Sequence, residues 1–492
     1  MSSILFSRKT KKHKTRKHKI RNHKKGKLYK KYITKTKKNI KKKSSKRGGD
    51  IAYYPLAGAT PTPIWTPTPT SNVVCSDDNV CLAFGDLTED IKTFFNGFIN
   101  FDFVVSPIER IGTVSVNGFI SQIKYEKDGY NSYAILKSTA KPNADNLMYE
   151  YIVGQYVNKL NKQYPCFVET YGLYKYTCSQ MWNIFKDNQQ GMADATEVSQ
   201  LLKLGLTYET EIDYNLSCKE SQYMAILIEN LKDIRPLMSL LYNQEFLEYE
   251  LMNALFQIYI PLAKLKNNFT HYDLHLNNIQ VYEPVEEKYI QYHYSLLIDS
   301  QPVVVSFKSK YMMKILDYGR CYFNDETTGI NSKEIYDKQI CNENASPECN
   351  PYPNACGKFN GYAWLEDDTP NPTSRHYISG QHKNISHDLR ALYNISQFSL
   401  KPQMKPKFQN KQSITDFLDK VVYVEEYGTS ENVSMGYPRT INNVEDAAKY
   451  LTDYVSKLLP IRKNDRYYQS NIKLGDLYID MVNDTPMNFV PA

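Results

Sequence analysis

The feature that most limits what this chain can fold into is the segregation of its charge. Of 61 lysines and arginines, 22 lie in residues 1–50 beside one acid, which leaves 39 to face 52 acids in residues 51–492. The opening run RKTKKHKTRKHKIRNHKKGKLYKKY repels itself and lacks the recurring apolar positions by which a helix or strand buries a face. Residues 1–49 are therefore expected to be a disordered basic arm. Such an arm binds nucleic acid or another polyanion by releasing counterions, and no base-reading motif accompanies it. The folded part must come from the mildly acidic remainder.

No window approaches 18 uninterrupted apolar residues, so no transmembrane segment is expected. The N-terminus has no apolar core beyond Ile4-Leu5-Phe6, which argues against a secretory signal. Nine scattered cysteines read as reduced thiols, and an intracellular location follows. Cys321, Cys341, Cys349 and Cys356 could join in a zinc site, but none of their spacings is C-x-x-C and free thiols are the preferred reading.

Residues 50–105 read as a Pro/Thr-rich linker and lead-in, with ordered structure expected from about Asp86. ERIGTVSV and FISQIKY alternate as strands around a turn expected at Asn117-Gly118, and SYAILKS follows a second turn at 126–129. DNLMYEYIVGQYVNKL has helical spacing, with Leu147, Tyr151, Gly154, Val157 and Leu160 near one face. CFVETYGLYKY is a further strand. About 45 polar residues then read as an insertion before the buried strand AILI. Beyond Asp233 the pattern becomes helical, with EFLEYELMNALFQIYIPLAKLKNN the longest periodic segment and two helices late in the chain.

Directly after that long helix stands FTHYDLHLNN, and after two more strand-like segments comes KILDYG. The spacing His271-x-Asp273-Leu274-x-x-x-Asn278 followed by Asp317-Tyr-Gly319 resembles the protein-kinase-like superfamily, with its H-x-D-L-x-x-x-N loop and D-F-G element. Upstream, Tyr133-Ala-Ile-Leu-Lys137 is similar to the V-A-I-K strand, and Glu150 stands in the helix after it. The resemblance covers roughly residues 106–460. It implies an α+β, bilobal protein-kinase-like fold: a small antiparallel β-rich N-lobe over 106–232 and a mainly helical C-lobe with C-terminal extension over 233–492.

It also implies an ATP- and Mg2+-dependent phosphotransferase. Asp273 would orient the acceptor hydroxyl and receive its proton, while Asn278 and Asp317 would hold Mg2+. Lys137, paired with Glu150, would hold the nucleotide phosphates, aided by Gly112 and Gly118. The hinge at Glu229 and Leu231 would hold adenine. His271 would be structural. Asp388, in Ser386-His-Asp388-Leu-Arg390, would tie down the catalytic loop, the other reading being a plain helix cap.

The glycine loop is degenerate, with Val114 where a glycine is usual, and no A-P-E element follows Gly319. His275 stands where serine/threonine kinases carry lysine, as in aminoglycoside and choline phosphotransferases. The acceptor is expected to be a serine or threonine hydroxyl on protein; the alternatives are a small-molecule hydroxyl, favoured by His275, and a pseudokinase scaffold, favoured by the degenerate glycine loop and the missing A-P-E element. The Lys-, Asn-, Ile- and Tyr-rich composition is similar to that of kinase-like proteins from large DNA viruses, which would place the protein in host cytoplasm, nucleus or virion.

Overall fold

A computed structural model describes residues 73–105, 108–111, 118–139, 145–187, 195–210, 223–298, 300–338, 382–397, 411–423, 436–458, 465–468 and 471–492. The basic arm, Gly112, Cys341, Cys349 and Cys356 lie outside the described residues.

The first described elements are β1 (Val73–Cys75) and β2 (Cys81–Ala83), whose register sets Cys75 opposite Cys81, and the two are joined as a disulfide. The reading of all nine cysteines as reduced is corrected here: a tight hairpin brings two thiols together that look scattered along the chain. Helix α1 (Thr88–Phe94) follows, then Phe95, Phe98, Phe101 and Val104, all buried. Folded structure thus begins before Asp86, because this segment covers one face of the sheet described next.

Strands β3 (Glu109–Ile111), β4 (Gly118–Lys127), β5 (Tyr130–Thr139), β6 (Thr170–Tyr176), β7 (Leu206–Tyr208) and β8 (Met224–Asn230) form an antiparallel sheet in the order β3-β4-β5-β8-β6-β7. The β4–β5 turn is the expected one, with Asp128 and Gly129 both at positive φ as a two-residue primed turn requires. The turn expected at Asn117-Gly118 is not a two-residue hairpin. Ile111 pairs with Ile120, so all of 112–119 lies between, and Gly118 is itself in β4 opposite Thr139. A Cβ on Gly118 would meet the Ser138 carbonyl oxygen at 2.5 Å, which explains the glycine by strand approach.

Period-two alternation gives the sheet two buried faces. Met224 and Ile226 pack with Leu147, Val153 and Val157 of helix α2 (Asp145–Asn161) in one core. Ala134, Leu136, Ala225 and Leu227 point the other way, into a second core. There they meet Trp182 and Phe185 of α3 (Ser179–Asp187) and Val198 and Leu202 of α4 (Ala195–Gly205). The stretch read as a polar insertion is therefore partly core, its few large apolar residues falling on the inner sides of two amphipathic helices.

Helix α5 (Leu251–Lys264) is buried from Leu251 to Leu262, as its all-round apolar surface requires. Around it lie short strands: β9 (Arg235–Pro236), β10 (Phe269–Thr270), β11 (Ile279–Tyr282), β14 (Met312–Ile315), β15 (Tyr322–Asp325) and β16 (Ile330–Asn331). Between β11 and β14 a long hairpin forms from β12 (Lys288–Ile298) and β13 (Gln301–Ser309). Its further partners, β17 (Ile472–Asp480), parallel to β12, and β18 (Asn488–Pro491), come from the C-terminus. Helices α6 (Arg390–Gln397) and α7 (Val444–Asp453) add Leu392, Ile395, Ala447 and Leu451 to the core that holds α5, with Asn443 capping α7 by accepting from the Asp446 N–H. The fold is mixed α+β with several antiparallel sheets. Among the described residues no helix is long and apolar enough to cross a membrane.

Candidate active site

The antiparallel pairing of β11 with β14 sets Ile279 opposite Ile315, so the loop entering β11 and the turn leaving β14 emerge side by side. The Leu316 N–H donates to the Asn278 carbonyl oxygen at 2.9 Å, and His271 Nε2 meets the Leu316 carbonyl oxygen at 2.8 Å. That contact puts the imidazole proton on Nε2. Burial lowers His271 to about 4, so the ring is neutral and links the two loops instead of moving protons.

Asp388 holds the first loop from below. Its carboxylate accepts the His271 N–H at 2.8 Å and the Tyr272 N–H at 2.9 Å, and the Tyr259 hydroxyl donates to its carbonyl oxygen at 2.8 Å. Burial pushes Asp388 up to about 7, with the two backbone donors pulling it down. Tyr272 and Asp317 both adopt positive φ, +62° and +68°. For non-glycine residues that costs on the order of 1 kcal/mol or more, and at Tyr272 the bond to Asp388 supplies the restraint that keeps the conformation.

Lys137 of β5, Glu150 of α2 and Asp317 meet directly. Lys137 Nζ lies 2.6 and 2.9 Å from the Glu150 carboxylate oxygens and 2.9 Å from Asp317 Oδ1. Burial opposes the charge of Lys137, but Asp317 and Glu150 outweigh it and hold the ammonium well above its ordinary value. Burial pushes Glu150 up to about 7, Lys137 opposing and Asp317 adding. For Asp317, Lys137 overcomes burial and keeps the carboxyl below its usual range. A Cβ on Gly319 would sit 3.5 Å from Glu150 Oε2, so the glycine lies against this cluster.

Asp273 lies one loop away. Its backbone carbonyl accepts from Asn278 Nδ2 at 2.9 Å, and Arg390 Nη1 donates to Oδ1 at 2.6 Å. Arg320 Nε stands 3.9 Å from Oδ2, and His275 Nε2 3.9 Å from Oδ1. Burial would raise Asp273, yet Arg320 and then Arg390 hold it far below the carboxylate range. Asp273 is thus a permanently ionised, weakly basic carboxylate, suited to orienting a hydroxyl.

Lys137, Glu150, Asp317, Asp273 and Asn278 therefore occupy one neighbourhood. Glu229 points elsewhere: its Oε2 accepts the Glu169 N–H at 3.2 Å and lies 3.7 Å from Lys314 Nζ. It lines a separate cleft with Lys92, Glu169 and Lys314, and Leu231 borders the same cleft. Arg320 and Arg390 are the site residues that sequence reasoning missed. Each stands beside a recognised motif, but only the fold turns both guanidiniums onto Asp273.

Among the described residues no three His, Cys, Asp or Glu side chains form a metal-binding group. The oxygens present fit Mg2+ nonetheless, which commonly takes one or two protein ligands and completes its shell with phosphate and water. Asn278 has its amide nitrogen committed to Asp273 and Asp317 has Oδ1 on Lys137, which leaves Asn278 Oδ1 and Asp317 Oδ2 as donors. The arrangement can hold a polyanion at Lys137, a hard cation at Asp317 and Asn278, and a hydroxyl at Asp273. No protein-family model matches the chain, and no curated protein matches it in sequence.

Proposed function

We propose that this protein is an ATP- and Mg2+-dependent phosphotransferase of bilobal, protein-kinase-like architecture, acting on a serine or threonine hydroxyl of a protein. The observation that carries this reading is Lys137 bonded at once to Glu150 and Asp317 from three separate elements. The small antiparallel sheet with α2 against it, followed by the α5-rich half, supports the same reading.

In this reading Lys137 binds nucleotide phosphates and Glu150 fixes its direction. Asp273 aligns the acceptor hydroxyl, and Asp388 keeps the loop in register. Asp317 and Asn278 would hold Mg2+, which when bound neutralises phosphate charge. A small-molecule hydroxyl is the second acceptor class, favoured by His275 at 3.9 Å from Asp273 where a protein-directed enzyme would carry lysine.

Thermal stabilisation by Mg·ATP tests the site: it is expected in the unchanged protein and in Asp273→Asn, and absent in Asp317→Ala. Transfer of label from γ-labelled ATP to protein and small-molecule acceptors then separates the acceptor classes. Failure of the unchanged protein to bind nucleotide at millimolar concentration would end the enzyme reading and leave a scaffold role.

A further inference from the structure

The two arginines at Asp273 are not equivalent. Arg390, 10% exposed, commits its guanidinium to Asp273 Oδ1 at 2.6 Å. Arg320 follows the Asp317-Tyr318-Gly319 turn directly, is 17% exposed, and approaches Asp273 only to 3.9 Å. Among the described residues its five N–H donors make no hydrogen bond to the protein. Its nitrogens are not fully enclosed, so the donors are open to water or to something that enters beside them.

Position says what that something is. Arg320 interacts electrostatically with both Asp317 and Asp273, the residues assigned to metal and acceptor in the proposed reaction. A phosphoryl group passing from nucleotide to acceptor travels between those two carboxylates. Position 275, which could have offered a fixed cation there, carries a histidine in place of lysine or arginine. Its Nδ1 accepts from the Asn277 N–H, in keeping with a neutral ring.

We propose that Arg320 is the catalytic residue that grips the phosphoryl group in transit, supplying in cis the cation that position 275 lacks, while Arg390 is a positioning residue for Asp273. This rests on the phosphotransferase reading. The bond from the γ-phosphorus to its bridging oxygen breaks and the electron pair stays on ADP. The acceptor oxygen forms the new bond to phosphorus, and its proton leaves to solvent past Asp273, whose carboxylate orients the hydroxyl and stays ionised. Arg320 offers paired N–H donors to the equatorial oxygens, where a fork-shaped cation matches best.

The test compares full-length protein with Arg320→Gln and Arg320→Lys, measuring binding of Mg·ADP and of the Mg complex of the β,γ-imido analogue of ATP. For Arg320→Gln the triphosphate is expected to bind about tenfold to a hundredfold more weakly while ADP affinity is unchanged, since a charge-assisted contact to the γ-phosphate alone is lost. Arg320→Lys should recover part of the loss. Unchanged ADP binding also shows that the variant is folded. Equal weakening of both nucleotides overturns the proposal in favour of a structural role. Unchanged binding of both, with a raised KM for acceptor, overturns it in favour of an anionic group on the acceptor. If the unchanged protein binds neither nucleotide, the phosphotransferase reading itself falls, and this inference with it.

Discussion

Lys137 Nζ lies 2.9 Å from Asp317 Oδ1 although 180 residues separate them in the chain. The contact ties the six-stranded sheet to the turn after β14, and Glu150 in α2 closes it from a third side. The Lys137 ammonium and the buried Glu150 carboxylate are held here by mutual compensation, and neither is stable in that place alone.

Lys137→Met should therefore cost stability as well as nucleotide binding. Glu150, 6% exposed in its side chain, would be left without its counter-charge. The expected loss is about 3 kcal/mol in denaturant unfolding. Adding Glu150→Gln should restore part of it. Strictly additive losses in the double variant would show that the two residues are not coupled.

Asp388→Ala should release the loop. The His271 and Tyr272 N–H groups lose their acceptor in a buried place, at an expected cost of about 2–4 kcal/mol. In transfer assays kcat should fall more than nucleotide affinity, because Lys137 and Asp317 are untouched. A stability change too small to measure would mean that the loop holds its own conformation.

His271 predicts an acid-side loss of stability. Its folded-state value, about 4, lies below the ordinary 6.5, so as pH falls the unfolded chain takes up the proton first. The contribution is full above pH 6.5 and declines down to pH 4, by about 3 kcal/mol in total. His271→Gln keeps a donor for the Leu316 carbonyl but cannot titrate. Its unfolding free energy should fall less steeply over this window, and parallel slopes for the two proteins would contradict the assignment.

Deletion of residues 1–49 removes the arm with all 22 of its lysines and arginines. Binding to a polyanion such as heparin or DNA should lose its steep salt dependence, while Mg·ATP affinity stays the same. A fall in both would show that arm and site are not independent modules.

Elements whose apolar residues repeat were readable from the chain. Helices α2 and α5 carry the helical period, FISQIKY alternates, and AILI is the short apolar run of a strand buried on both faces. Segments that owe their place to distant partners were not. Phe95, Phe98 and Phe101 fall in the stretch expected to be ordered from about Asp86, but nothing local says that they cover the outer face of the sheet, and Trp182 and Phe185 are few among polar neighbours. Strand β17 has no local sign that its partner is β12, nearly two hundred residues earlier.

The sequence by itself determined which residue types are available for chemistry and in what order: Lys137, Glu150, Asp273, Asn278 and Asp317. Spacing is a local property, and these motifs are local. Only the tertiary structure decided the electrostatic state of each group, because burial and charges from remote segments set it. Arg390 brings Asp273 its counter-charge from 117 residues away, and Arg320 reaches the same carboxylate from beyond the Asp317 turn. The pair makes Asp273 a fixed anion and leaves one guanidinium with donors to offer. Neither result can be read from a motif, since both depend on what the fold packs against it.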